Sequence, residues 1–179
     1  MNYAHIYWNR TCDGDGVRVA LYVSGCTRAC RGCHNRETWD PCYGTPFTDD
    51  TLDRVLDGCD HPWVSGLSLL GGDPLYQSNQ QEVLRLLKGF RGRFGRGKDV
   101  WLWTGCVLER DLLPDSPTFR PSEWFTPFTS DLLGLVDVIV DGPFIDYLKT
   151  PNLLYRGSSN QRILRLVDGR PSEDLTPST

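Results

Sequence analysis

The chain has 179 residues, 39% of them hydrophobic, and a formal net charge of -4, the profile of one soluble globular domain. That charge gives no general attraction to phosphate, so nucleic acid is not an expected partner. No apolar run reaches the roughly 18 to 20 residues needed to span a bilayer and MNYAHIYWNR lacks a secretory apolar region, so a cytoplasmic protein without membrane attachment is expected.

In chain order, residues 17–23 form an apolar, β-branched run stopped by Ser24-Gly25, which predicts a buried strand leading directly to Cys26. Leu52, Val55, Leu56 and Cys59 recur at helical spacing behind Thr48-Asp49-Asp50, whose oxygens and charges suit a helix start. Residues 67–70 predict a short strand ending in Gly71-Gly72-Asp73-Pro74. Val83, Leu87 and Phe90 then mark a second amphipathic helix.

Residues 100–104, 136–140 and 163–167 are further strand candidates. Between Pro114 and Phe128, prolines and aromatics without a regular period predict an ordered but irregular insertion, read as a partner-facing surface. Residues 170–179 read as a disordered tail beyond a single domain over 1–169. Alternating strands and helices imply an α/β fold with mostly parallel strands, as a partial barrel or an open sheet.

Three of the seven cysteines, Cys26, Cys30 and Cys33, crowd into CxxxCxxC on the loop after the first predicted strand. Clustered thiolates point to metal rather than to a spread disulfide framework. A four-iron cubane held by three of them keeps one iron open to a small molecule. Cys42 as a fourth ligand would instead close a zinc or electron-transfer centre, the core of a zinc-stabilised binding module. Cys12, Cys59 and Cys106 share no short spacing with Cys42 and read as isolated thiols.

Six segments occur in family order: DGDGVR at 13–18, YVSGCTRACRGCHN at 22–35, LSLLGGDPL at 67–75, WLWTGC at 101–106, VDVIVDGPF at 136–144 and YRGSSNQRIL at 155–164. Together they resemble the radical S-adenosylmethionine (SAM) superfamily, and within it the activating enzymes of anaerobic (class III) ribonucleotide reductase. The chain departs from that pattern at Asp15, where proline is usual, at Cys106, where tyrosine is usual, and in the length of the insertion.

The resemblance implies a partial (β/α) barrel, a [4Fe-4S] cluster on Cys26, Cys30 and Cys33, and SAM as second cofactor. Reductive cleavage of SAM would give a 5'-deoxyadenosyl radical that makes a glycyl radical on the large reductase subunit, with a flavodoxin-like or other low-potential donor supplying the electron. Gly32, Cys33 and His34 would lie against SAM, Gly71 and Gly72 would let the backbone approach its methionine part, and Asp73 would face its ammonium. An activase of another glycyl-radical enzyme, such as formate-lyase, is the alternative target.

Other features keep two readings each. Residues 13–18 organise the strand entry or contact a partner, or form a plain glycine turn; Asp141-Gly142 is a ligand-side strand end or a plain turn; Arg156, Asn160 and Arg162 bind a carboxylate or partner, or form a polar turn. Residues 85–98 read as a solvated basic helix end, and Trp101 and Trp103 as a strand pair of which at least one packs in the core.

Overall fold

The structure, a computed structural model, describes residues 1–177. Four parallel strands form its centre: β2 (Val17–Val23), β4 (Val64–Gly71), β5 (Asp99–Trp103) and β6 (Val138–Asp141), adjacent in that order. Their register sets Val23 beside Gly71, Leu69 beside Leu102 and Trp103 beside Val140, so the four carboxyl ends finish along one edge. Parallel neighbours need crossovers, and these are α1 (Asp49–Cys59), α2 (Gln80–Phe94) and a long connection containing α3 (Thr129–Leu133).

The side-chain period of two sorts the core. On β5, Val100 and Leu102 join the large cluster with Val55, Leu56, Val83, Leu87 and Phe90 of the helices. Trp101 turns to the other face, where it packs with Val138, Val140 and Ile163, and Trp103 lies against that second cluster. Thr48 caps α1, its hydroxyl accepting from the Thr51 N–H, with Asp49 and Asp50 in the first turn as the sequence indicates.

Four antiparallel pairings outnumber the three parallel ones, which corrects the expectation of a mostly parallel sheet. β1 (Asn2–Arg10) and β3 (Thr45–Pro46) extend one side, β7 (Arg162–Val167) and β8 (Arg170–Asp174) the other. Among the described residues the sheet order β3-β1-β2-β4-β5-β6-β7-β8 is open, with no closure into a barrel.

The expected tail from residue 170 is also corrected. Asp168 and Gly169 adopt φ of 49° and 76°, a two-residue turn of the kind that matches strand twist, and they fold β8 back onto β7. Residues 178 and 179 lie outside the described residues.

Residues 13–18 organise the sheet. Arg18 is fully buried, donates from Nε to Ser68 Oγ at 2.7 Å and from Nη2 to the Leu67 carbonyl at 3.0 Å, and pairs through Nη1 with Asp99 Oδ1 at 2.7 Å. The basic run ends α2 in ion pairs, Arg93 with Asp57 and Asp60, Arg91 and Arg96 with Asp137. No helix among the described residues is long and apolar enough to cross a membrane.

Candidate active site

Each parallel strand hands the chain to one wall of a common cavity: β2 to the cysteine loop, β4 to Gly71-Gly72-Asp73, β5 to Thr104-Gly105 and β6 to Gly142. Ligands in open α/β sheets bind beyond these carboxyl ends. The cavity measures about 570 Å³, within the usual range for a small-molecule site. Cys26, Cys30, Gly32, Cys33, His34, Gly71, Gly72 and Asp73 all line it.

The cysteine loop is fixed by its backbone. Gly25 and Cys26 N–H donate to the carbonyls of Thr38 and Trp39 at 2.8 and 3.2 Å, and Cys33 N–H closes on the Cys30 carbonyl at 3.1 Å. Gly32 sits at φ +72°, where L side chains are strained, and a methyl there would collide with Asp146 Oδ1. Burial pushes the Cys26 thiol up to about 12, with Asp73 adding to the rise and Arg28 opposing it. Burial raises Cys30 as well, followed by the neighbouring Cys33.

The glycine turn abuts this loop. A methyl on Gly72 would lie 2.7 Å from the Gly25 carbonyl and 2.9 Å from that of Thr38, and Gly71 holds φ +109°. Asn35 Nδ2 donates to the Gly71 carbonyl at 3.3 Å.

Asp73 is 2% exposed, and its carboxylate is already engaged. Oδ1 accepts from Leu75 N–H at 2.9 Å, while Oδ2 accepts from Thr104 Oγ1 and Gly105 N–H, both at 3.0 Å. Burial raises this carboxyl against the pull of Arg28 and those donors. Its first work is to join the turns after β4 and β5.

Among the motif residues given two readings, Arg156 lines the cavity, while its Nη1 donates to the Gln161 carbonyl at 3.2 Å. Asn160 and Arg162 serve the fold: Asn160 donates to the Pro143 carbonyl, and Arg162 pairs with buried Asp141 and with Glu109. Cys12 and Cys42 are exposed and Cys59 and Cys106 buried; none of the four lines the cavity.

The insertion over 114–128 is not simply an outward surface. Trp124 is buried, and Gln80 of α2 donates to its carbonyl at 2.9 Å while accepting from Thr126 and Thr129 hydroxyls at 2.8 and 2.7 Å. Arg28, Asn35, Trp103, Thr104, Gly105 and Phe144 also line the cavity; all six fall within the segments that carry the resemblance, but none was expected at the site, and Trp103 was expected as a strand-core candidate.

The donor set tests the implied cluster. Three soft thiols border one cavity, as an iron–sulfur centre requires. Among the described residues no three His, Cys, Asp or Glu side chains converge closely enough for a single metal ion. Cys42, the fourth ligand of the closed-centre reading, is not among the residues that line this cavity.

The family described as a 4Fe-4S single cluster domain matches residues 12–164. The anaerobic ribonucleoside-triphosphate reductase-activating protein of Enterobacteria phage T4 is 38% identical over 94% of this chain and 97% of its own length. Its counterpart in Escherichia coli K12 is 36% identical over 93% and 99%, and that of Vibrio cholerae O1 37% identical over 93% and 99%. Matches of this level, running nearly end to end in both partners, show that the chain belongs to the family of anaerobic ribonucleoside-triphosphate reductase-activating proteins.

Proposed function

We propose that this protein is a radical SAM activating enzyme that generates a glycyl radical on the large subunit of an anaerobic ribonucleotide reductase. The observation that carries the proposal is the gathering of three thiols, and no fourth, on the wall of a cavity large enough for a second ligand. Family membership supports the reductase as partner, because the relatives bear that activity in their names.

When bound, a [4Fe-4S] cluster would supply the electron for reductive cleavage of SAM, the chemistry from which the hydrogen-abstracting species would come. The chain's own residues do the rest. Cys26, Cys30 and Cys33 would hold the cluster as thiolates. Gly32, Cys33 and His34 would border SAM, and the Gly71-Gly72 backbone would edge its methionine part. Asp73 keeps the turns after β4 and β5 in place, and Trp103 and Phe144 add apolar surface that limits water.

A flavodoxin-like or other low-potential protein is the electron donor in this reading, and the cytoplasm is its setting. The test is anaerobic: reduced, iron- and sulfide-loaded protein is mixed with SAM and a class III reductase. A glycyl doublet in the electron paramagnetic resonance (EPR) spectrum supports the assignment. SAM cleavage without that doublet rejects the reductase as target and favours another glycyl-radical enzyme.

A further inference from the structure

We propose that Arg28 is a positioning residue that fixes a positive charge behind the cysteine loop, offsetting the buried Asp73 carboxylate and making the cluster easier to reduce. The inference rests on the cluster assigned to Cys26, Cys30 and Cys33 above.

Two arginines of one loop behave oppositely. The Arg31 side chain is 94% exposed, whereas that of Arg28 is 17% exposed. Its seat is built from four directions. The Trp124 ring lies 4.2 Å from its Cζ, Cys106 Sγ accepts from Nη2 at 2.9 Å, and Asp73 Oδ2 lies 3.7 Å from Nε. Gly105 supplies the fourth side, since any methyl there would collide with the arginine's Cδ.

Trp124 belongs to the insertion, and the adjoining Glu123 accepts from Thr27 Oγ1 at 3.1 Å, so that segment backs the cysteine loop at two successive residues. Cys106 and Trp124 are thus joined through one guanidinium.

Holding this cation is costly, because Nε is buried without a hydrogen-bond partner. An apolar side chain stacked on Trp124 would fill the same space without that cost. What the arginine adds is charge. Asp73, 2% exposed and lining the same cavity, would otherwise be a buried anion beside the thiolates.

Reduction adds one electron from a low-potential donor, taking the cubane core from 2+ to 1+ with no bond made or broken. The site's total charge becomes more negative by one. A nearby cation stabilises that product, and charge is among the levers that set iron–sulfur potentials.

The experiment is a redox titration of loaded protein without SAM, poised with dithionite and mediators and followed by the EPR signal of the reduced cluster. The Arg28→Gln midpoint is expected to be more negative than that of the wild type, and the Arg28→Lys midpoint to stay near it. Arg28→Met, which keeps bulk against Trp124, replaces Arg28→Gln if that variant fails to load and should shift in the same direction. Unchanged midpoints in fully loaded neutral variants, accompanied only by lower melting temperatures, overturn the inference and leave the cluster standing. Wild-type protein that takes up no iron and sulfide overturns the cluster assignment and this inference together.

Discussion

The amide of Asn35 donates to the Gly71 carbonyl at 3.3 Å, tying the residue that follows the CxxxCxxC-His run to the glycine turn at the end of the neighbouring strand. The two walls that border the cavity are therefore held in register by a side chain as well as by the sheet. Replacing Asn35 by alanine should lower stability by about 0.5–1.5 kcal/mol, the net worth of one such bond. In SAM cleavage the KM for SAM should rise more than kcat falls. Denaturant unfolding and steady-state kinetics check both, and an unchanged KM would remove Asn35 from the cavity's organisation.

Gly72 and Gly92 form a matched pair. A methyl at Gly72 meets backbone carbonyls at 2.7 and 2.9 Å that cannot swing away, so Gly72→Ala should destabilise by about 1–3 kcal/mol and reduce iron uptake. Gly92 lies in α2 with nothing within 4 Å of its added methyl. Gly92→Ala should stabilise by up to about 1 kcal/mol, with cluster content unaffected. Melting temperatures and iron analysis of both variants separate crowding at the site from a general intolerance of alanine.

The raised Cys26 thiol gives iron loading a pH dependence. With burial and Asp73 pushing it up to about 12, this thiol is protonated across the neutral range in the cluster-free protein. A thiolate is needed to bind iron, so loading releases protons and is favoured as pH rises. Initial uptake of iron and sulfide should be faster at pH 9 than at pH 7, followed by visible absorbance under argon. Alkylation of the cluster-free protein should reach exposed Cys12 and Cys42 before buried Cys59 and Cys106.

Gln80 anchors the insertion. Its carbonyl oxygen accepts from Thr126 and Thr129 and its amide donates to Leu75 and Trp124 carbonyls, all from a fully buried position. Gln80→Ala leaves several of these groups unpartnered and should cost about 2–3 kcal/mol. Deleting residues 114–128 should lower stability and SAM cleavage together, because Trp124 leaves the core. Deletion that spared both would favour the reading of this segment as a detachable docking surface.

Legibility in the sequence followed the range of the forces involved. β2, α1, β4, α2, β5, β6 and β7 each carry their own apolar period, and the cysteine spacing is a local signature, so all of these were readable. β1 was not, since NYAHIYWNR is largely half-buried or exposed and is held by pairing with β2 through two register breaks. β8 is exposed along its whole length, and its signal was the Asp168-Gly169 turn rather than any period of its own.

At the site, Cys26, Cys30, Cys33 and the glycine turn declared themselves by motif. Arg28 and Trp124 meet only through the tertiary fold, across almost a hundred residues of chain. Asp73 shows the difference within one residue: its motif marked the place, but only the fold reveals that Thr104, Gly105 and Leu75 already claim its oxygens.

The most direct measurement is the EPR spectrum of the anaerobically reduced, loaded protein before and after SAM is added. On the proposed reading three protein thiolates would leave one iron for SAM, so the g-values should shift on addition, and Cys30→Ala should fail to give the loaded species. A four-iron signal that SAM leaves untouched would mean a fourth protein ligand and a closed centre, contradicting the account.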